Sequence, residues 1–253
     1  MAKLTTTEYH INLPNLPVEF DGFCIAHIAD LHNANFGGQI EKELEYKKPD
    51  IIAMTGDIVS FQNRTLNAIS LVRRALHIAP IYYVNGNHEA RFKNYNNFAQ
   101  KLRDEGVAVL HNQIKMIQRG DSKVAIVGID DPAFFAPPKR ENYKKQCLML
   151  NAQCSVADIK ILLAHRPEYF DHYANCGYDI SLTGHAHGGQ IRLPRLGAIW
   201  APRHGLLPKT VSGVSQNGNS YMVASRGLGY VPLRMPPRIF NRPELVFVVL
   251  GSG

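Results

Sequence analysis

The stretch "SLTGHAHGGQIRLP", residues 181–194, places two histidines one residue apart directly after an apolar run, and two glycines follow them. The apolar run is typical of a buried strand, so both imidazoles are expected at a strand end. Open α/β sheets gather their ligand-binding groups outside the carboxyl ends of their strands. The stretch therefore predicts a site at a sheet edge, and the ends of the other strands decide its chemistry.

Short apolar runs alternate with amphipathic segments from residue 23 onward, which is the pattern of strands and helices layered on a sheet. The later strand candidates include a hairpin, "IKMIQ" and "KVAIVGIDD" around the turn "RGDS". The expected fold class is α/β (α+β). Helical spacing predicts three apolar faces: Ile40 and Leu44; Leu66, Ile69, Val72 and Leu76; and Phe92, Tyr95, Phe98 and Leu102.

Length and composition bound the class of protein. With 253 residues, 45% hydrophobic and 19% charged, the chain lies in the globular range, and one domain over 1–253 is expected. No apolar run reaches the roughly 18 to 20 residues that span a bilayer, and the start lacks the apolar core of a secretory signal. Cys24, Cys147, Cys154 and Cys176 lack CxxC spacing, so a reducing cytoplasm is expected, with neither a disulfide framework nor a zinc knuckle.

The net charge of +7 favours anionic partners such as phosphate compounds, nucleic acid or an acidic membrane surface. The basic residues are spread along the chain without a long block, which favours a solvated basic surface over a nucleic-acid footprint. Basic and aromatic residues do not interleave as a strand-stacking platform would require. Peripheral contact with a membrane stays open at this point.

Polar side chains of a few recurring types follow five of the apolar runs. Taken singly, each is explained as a turn residue or a hydrogen-bonded histidine. Seven oxygen and nitrogen donors at five strand ends, in a chain with 11 histidines, are hard to explain as independent turn residues. We therefore interpret them as metal ligands. They are Asp30, His32, Asp57, Asn87, His165, His185 and His187.

The donor set indicates which metals and how many. It has no thiolate, so it suits divalent Mn, Fe or Zn rather than copper(I) or an iron–sulfur cluster. Seven donors are more than one tetrahedral metal site can use. With one carboxylate shared between two metals, they would form two sites. Two metals about 3.5 to 4 Å apart can clamp the attacking and leaving oxygens of a phosphoryl displacement.

The motifs resemble those of the calcineurin-like metallophosphoesterases, whose pattern is DxH, GD, GNH(D/E), a lone His and GHxH. They stand here as "DLH" 30–32, "GD" 56–57, "GNHE" 86–89, "AH" 164–165 and "GHAH" 184–187. "LPNLPVEFDGFCIAHIADLHN", "GHAHGGQIRLP", "SRGLGYVPLR" and "RPELVFVVL" look like the bacterial YkuE/YaeI-type branch. The resemblance covers nearly the whole chain. It implies a four-layer αββα sandwich of two mixed β-sheets flanked by helices.

The resemblance also implies how the donors are shared, with Asp57 as the bridge. In an extended segment, DxH and HxH send alternate side chains to one side, so we expect extended backbone at both pairs. One metal would be held by Asp30, His32, Asp57 and His187, and the other by Asp57, Asn87, His165 and His185.

His88 has no metal in this scheme, and the resemblance implies that it contacts the phosphoryl oxygens or protonates the leaving group, which suits a titratable imidazole. Glu89 is expected to orient its neighbours, because a hydroxide bridging the metals already supplies the nucleophile. Arg91 and Arg226 are further candidates for phosphate contacts. Gly188 and Gly189 are expected to keep the backbone small beside the cluster.

The function expected from this resemblance is a dinuclear metal-dependent phosphohydrolase that acts on phosphoester or pyrophosphate bonds. The branch suggests a small phosphodiester or monoester, or a lipid-linked pyrophosphate such as UDP-diacylglucosamine. The loops "DDPAFFAPP" and "YVPLRMPP" could form a wall for an acyl chain, although ordinary loop packing is the simpler interpretation. The alternatives are a catalytically inactive scaffold of the same fold and a nuclease.

Overall fold

The computed structural model describes residues 3–59, 64–189, 191–193, 197–201, 205–206, 211–229 and 238–252. The strands are β1 (Thr5–Leu13), β2 (Cys24–Ile28), β3 (Ile51–Thr55), β4 (Ile81–Val84), β5 (Ala108–Val109), β6 (Gln113–Arg119), β7 (Ser122–Gly128), β8 (Ile159–Leu163), β9 (Ile180–Thr183), β10 (Ile191–Leu193), β11 (Gly197–Ala201), β12 (Gly205–Leu206), β13 (Gly213–Asn217), β14 (Ser220–Ala224) and β15 (Glu244–Ser252). The helices are α1 (Gln39–Lys47), α2 (Leu66–Ala75), α3 (Tyr95–Asp104), α4 (Lys139–Gln153) and α5 (Phe170–Cys176).

Two six-stranded sheets form the centre of the fold, with strand orders β1-β15-β2-β3-β4-β5 and β13-β14-β9-β8-β7-β6. Both sheets are mixed. In the first, β15 pairs antiparallel with β2, whereas β2, β3, β4 and β5 run parallel. In the second, β14, β9, β8 and β7 run parallel between two antiparallel edge strands. A small sheet of order β10-β11-β12 begins shortly after Gly188 and Gly189 of the opening stretch.

Alternation along the strands divides the apolar side chains between three buried layers. In β3, Ile51 and Ala53 pack between the two sheets, whereas Ile52 and Met54 pack against the helices of the first sheet. A strand buried on both faces is a continuous apolar run, as the sequence of β3 shows. Helices α1, α2 and α3 cover the first sheet, and α4 and α5 cover the second. The four layers and the α/β class agree with the fold that the resemblance implies.

Helical spacing predicted the buried face of α1 correctly and that of α2 only in part. Ile40 and Leu44 of α1 are buried as predicted. The predicted face of α2 is partly wrong, because Leu66 is 84% exposed. Ala68, Leu71, Val72 and Ala75 form the buried face of α2 instead. The segment is apolar at two overlapping helical phases, so spacing alone did not select between them.

The structure also contains elements that were not predicted, and it bears on the expectations about the cysteines and about membrane spans. β1, α4 and α5 were not predicted, and β1 pairs in parallel with β15 over its whole length. The four cysteines are free thiols. In the described part of the chain, every helix is too short or too polar to span a bilayer. The single-domain organisation stays a prediction.

The fold positions the site by bringing strand ends from both sheets to one place. The backbone carbonyl of Thr55, at the end of β3, lies 2.8 Å from Nδ1 of His165, which follows β8. The carboxylate of Asp30, after β2, accepts from the backbone N–H of His185, after β9, at 3.0 Å. The carboxyl ends of parallel strands in the two sheets therefore meet, as expected for an α/β site.

Candidate metal centre

The predicted donors converge into adjoining groups. Three groups of side chains have ligand atoms within 4.8 Å of one another. Among the described residues, these groups are Asp30–His32–His187, His32–Asp57–His88 and Asp57–His165–His185. The first group is the first predicted metal site without its bridging aspartate. The third group is the second predicted site without its asparagine.

Asp57 lies between the two halves of the site. Its Oδ2 is 3.4 Å from Nε2 of His165 and 3.7 Å from Nε2 of His88. Its Oδ1 accepts from the backbone N–H of His88 at 2.8 Å. Although burial opposes ionisation, the surrounding histidines, His165 foremost, hold the pKa of Asp57 well below its usual range. A buried carboxylate that stays ionised between two clusters of imidazoles has the position and charge of a bridging ligand.

Asp30, His32 and His187 form one half. The Nε2 atoms of His32 and His187 face each other at 3.4 Å, and Nε2 of His187 is 3.6 Å from Oδ1 of Asp30. Burial lowers the pKa of His32 to about 3, and it lowers the pKa of His187 well below its ordinary value. Both rings are therefore neutral near pH 7. Neutral imidazole is the form that binds a metal.

His165 and His185 form the other half with Asp57. His165 presents Nδ1 to the Thr55 carbonyl, which fixes the ring so that Nε2 faces Asp57. Asn87 is 8% exposed, and its Oδ1 has no hydrogen-bond partner. The Nε2 of His165 is likewise buried without a hydrogen bond. The buried Asn87 oxygen without a partner has the character of a cation ligand, and the His165 nitrogen faces the Asp57 carboxylate.

The backbone at the donors is left-handed, which corrects the expectation of extended DxH and HxH segments. Asp30 has a φ of 51°, His32 of 47°, Asp57 of 51°, His185 of 66° and His187 of 49°. Such angles are uncommon for residues other than glycine and cluster at functional sites. The turns, rather than strand alternation, aim these side chains at one point.

Glu89 lies under the site and accepts from four backbone N–H groups: those of Gly86, Asp57, Ile58 and Val59. It is fully buried. Burial, with Asp57 nearby, raises the pKa of Glu89 to about 7. With its oxygens engaged by the GD and GNH loops, Glu89 holds those loops together, which fits the orienting role expected of it.

His88 lies closer to the donors than the sequence interpretation assumed. Its ring centroid is 4.5 Å from that of His32. It shares a group of converging ligand atoms with His32 and Asp57, and its side chain is 11% exposed. Its ring is thus part of the converging cluster.

Arg166 and Asp131 are site residues that the sequence interpretation missed. Nη1 of Arg166 lies 2.6 Å from Nε2 of His185, and its Nε donates to Oδ2 of Asp131 at 2.6 Å. Burial opposes the guanidinium charge, but Asp131 raises the pKa of Arg166 above its ordinary value. Their sequence positions could have indicated both residues. Arg166 directly follows His165, and Asp131 is the second aspartate after the apolar run of β7.

Arg238 and Asn241 contact the other histidine, and the sequence interpretation missed both. Nη2 of Arg238 lies 3.0 Å from Nδ1 of His187. The same guanidinium donates to the carbonyls of Arg226, Gly227 and Gly229. The Asn241 amide donates to the His187 carbonyl at 2.6 Å. These contacts join residues more than 50 positions apart, so no local sequence motif could predict them.

The remaining sequence candidates have structural roles or lie outside the site. Arg226 pairs with Glu244 at 2.8 Å, so its guanidinium already has an anionic partner. Arg91 is exposed at the end of a short 3-10 turn. Gly188 has a φ of +67°, and a Cβ there would meet Cγ of Arg226 at 2.5 Å. Gly188 therefore makes room for the Arg226 side chain beside the cluster.

The two proposed acyl-wall loops have different outcomes. In "DDPAFFAPP", the ring of Phe134 packs on Tyr95 at a centroid distance of 5.1 Å, and Phe135 packs on Tyr143 at 5.7 Å. These contacts favour ordinary loop packing. The segment "YVPLRMPP", 230–237, lies outside the described residues.

Comparison with known proteins agrees with the fold and the site. The chain is 28% identical to the uncharacterized metallophosphoesterase YkuE of Bacillus subtilis, over 98% of this chain and 86% of YkuE. It is 29% identical to the phosphodiesterase YaeI of Escherichia coli, over 90% of this chain and 82% of YaeI. The phosphopantetheinyl hydrolase PptH of Mycobacterium tuberculosis shares the fold, with a TM-score of 0.51 and 13% identity over 83% of this chain and 91% of PptH.

Two mixed sheets between helices, with oxygen and nitrogen donors at their joined strand ends, define a metal-dependent hydrolase of phosphoesters. Residues 24–189 match the family model of the calcineurin-like phosphoesterases. The chain belongs to that family, as its motifs indicate. Proteins of this class work with two metal ions, and the convergent donor groups fit such a centre.

Proposed function

We propose that this protein is a dinuclear metal-dependent phosphohydrolase with all seven predicted donors as ligands. Asp57 bridges the ions. The observation that carries the proposal is the position of the Asp57 carboxylate between two groups of converging donors. One ion would be held by Asp30, His32, Asp57 and His187, and the other by Asp57, Asn87, His165 and His185. Mn, Fe and Zn suit these ligands.

The metal pair supplies Lewis-acid polarisation of the phosphoryl oxygens and an activated water. The chain's own residues do the rest. His88, beside His32 and Asp57, contacts the phosphoryl oxygens and gives a proton to the leaving oxygen, a role that imidazoles commonly take. Glu89 keeps the GD and GNH loops in register through its four backbone contacts.

The proposed substrates are phosphate esters and anhydrides: a small phosphodiester or monoester, or a lipid-linked pyrophosphate such as UDP-diacylglucosamine. The relative YaeI is named a phosphodiesterase, which supports testing diesters first. The net charge of +7 suits an anionic substrate. A cytoplasmic location belongs to the same proposal and is supported by the four free thiols.

The inactive scaffold is the weaker alternative. A scaffold of this fold is expected to have lost one or more donors, whereas the six Asp and His donors converge and Asn87 presents an unsatisfied buried oxygen. The nuclease alternative has less support, because the basic residues form no block along the chain.

The test is hydrolysis of bis-p-nitrophenyl phosphate by protein loaded with Mn²⁺ or Zn²⁺. We expect turnover by the wild type and a loss of about 10²- to 10⁴-fold in kcat for His88→Asn, the range of general acid catalysis. His10→Asn is the matched control, because the His10 side chain is 68% exposed on β1. Metal-loaded protein that hydrolyses neither this diester nor a panel of monoesters and pyrophosphates would support the scaffold.

A further inference from the structure

A cavity of about 640 Å³ opens beside the metal centre. Its walls come from the chain that follows the DLH motif, from Leu228 and Gly229 after β14, and from the segment 238–243 before β15. The volume lies within the range of about 300 to 1,000 Å³ that is typical of small-molecule sites.

The cavity is lined in part by residues that contact the proposed ligands. Arg238 lines it and contacts His187, and Asn241 lines it and holds the His187 carbonyl. Gly229 lines it and donates its backbone N–H to the Asp30 carbonyl at 2.6 Å. Three wall residues of the cavity therefore contact two of the proposed ligands.

The lining combines apolar surface with positive charge. Phe36, Leu228 and Phe240 provide apolar surface, while exposed Lys3 and Arg242 provide charge. Among the described lining residues there is no aspartate or glutamate. Such a lining is complementary to a ligand that has both an anionic group and an apolar chain.

Phe240 is the most unusual lining residue. It is 70% exposed, although a phenyl ring is ordinarily buried. Its φ of 51° is rare for a bulky side chain and is disfavoured unless the surroundings hold it. Its neighbour Asn241 is buried and anchored by two hydrogen bonds of 2.6 Å, so the ring is presented from a fixed point.

We propose that this cavity binds the alkyl or acyl chain of an amphiphilic phosphate ester, whose phosphate group enters the metal centre. The inference rests on the proposed function and adds the substrate class to it. Phe240, Phe36 and Leu228 contact the chain, and Lys3 and Arg242 give the cavity the positive charge that attracts an anionic ester. Hydrolysis adds one water across the P–O bond and releases an alcohol and a phosphate product.

The test is a chain-length series of p-nitrophenyl alkyl phosphodiesters, with methyl, butyl and octyl groups, used below their micelle concentrations. Burial of a methylene is worth about 0.8 kcal/mol, which corresponds to about fourfold in binding. We expect kcat/KM to rise about 50-fold from methyl to butyl, until the chain fills the cavity. Phe240→Asn should remove much of this gain, and asparagine tolerates the left-handed backbone at that position.

Val156→Asn is the matched control, since Val156 is also apolar and 71% exposed but lies outside the cavity lining. It should keep the wild-type chain-length gain. Equal kcat/KM for all three esters, or a full gain in Phe240→Asn, would overturn the inference while leaving the hydrolase intact. A gain that requires vesicles of anionic phospholipid would assign the patch to a membrane surface and would also overturn it.

Failure of the proposed function has a different signature, namely no hydrolysis of any ester by metal-loaded protein. In that case calorimetric titration with methylphosphonate and butylphosphonate, which are not hydrolysed, still tests the cavity. Tighter binding of butylphosphonate, reduced in Phe240→Asn, supports the inference. Equal affinities contradict it.

Discussion

The two histidines of the GHAH motif are held in different ways. His185 contacts Arg166, whose guanidinium is paired with the buried carboxylate of Asp131. His187 contacts Arg238, whose other hydrogen bonds in the described part of the chain go to backbone carbonyls. Burial lowers the pKa of Arg238 to about 10, whereas Asp131 raises the pKa of Arg166.

The difference teaches that the two ions of the proposed centre depend on different parts of the chain. The His185 half rests on the second sheet, through the ends of β7 and β8. The His187 half rests on the segment after β14, which also forms the proposed chain cavity. Substitutions in one half should therefore affect one ion more than the other.

The largest expected effect comes from His185→Ala and His187→Ala. Each variant should bind one ion in place of two and lose about a thousandfold or more in kcat/KM, because a metal stabilises the transition state by several kcal/mol. Metal analysis by mass spectrometry and diester kinetics measure both. If either variant retained two ions, the assignment of that histidine would be wrong.

The second comparison is Arg166→Met against Arg238→Met. Neither should weaken the ion on its own side, because a guanidinium only donates and so contacts the lone-pair nitrogen of its histidine, the kind of atom that a metal ligand must keep free. Arg166→Met should lower the free energy of unfolding by about 3–5 kcal/mol, because it leaves the buried Asp131 carboxylate unpaired. Arg238→Met should lower it by about 1–3 kcal/mol, through lost hydrogen bonds to carbonyls.

Urea denaturation measures these stabilities, and Asp131→Asn added to Arg166→Met serves as the control. The added substitution removes the unpaired carboxylate, so the double variant should recover part of the stability. Equal losses in the two single variants, or no recovery in the double variant, would contradict the proposed difference between the halves.

The smallest expected effect is that of Gly188→Ala, in the His187 half. A left-handed backbone disfavours alanine by about 1–2 kcal/mol, and the added Cβ would also meet the Arg226 side chain. Gly218→Ala is the matched control, because its φ of +59° carries the same strain and nothing lies within 4 Å of the added carbon. Thermal unfolding should show the greater loss for Gly188→Ala. The same loss in both variants would remove the role given to Arg226.

The convergence of the donors was predictable because residue type and strand-end position are local features of the sequence. Asp30 and His185 are 155 positions apart, yet both follow apolar runs, and the topology of α/β sheets brings such ends together. The residues that contact the donors were not predictable in this way. The contact of Arg238 with His187 depends on how the segment after β14 folds back. Neither residue spacing nor composition predicts the course of that segment.

The backbone conformation of the donor residues also could not be predicted from the sequence. Strand alternation suggested extended DxH and HxH pairs, but the residues have positive φ. Tertiary contacts hold these turns: the backbone N–H of Asp30 donates to the Gly56 carbonyl, and that of His32 donates to the Asp57 carbonyl. Such contacts between loops override a local preference for extended backbone.

The central claim is that Asp57 is shared by two ions, and metal content tests it most directly. Wild-type protein loaded with Mn²⁺ and desalted should contain close to two ions per chain. Asp57→Asn should lose affinity for both, because the bridging carboxylate belongs to both ligand sets. A wild type with a single ion, or an Asp57→Asn variant that keeps one ion at undiminished affinity, would contradict the account.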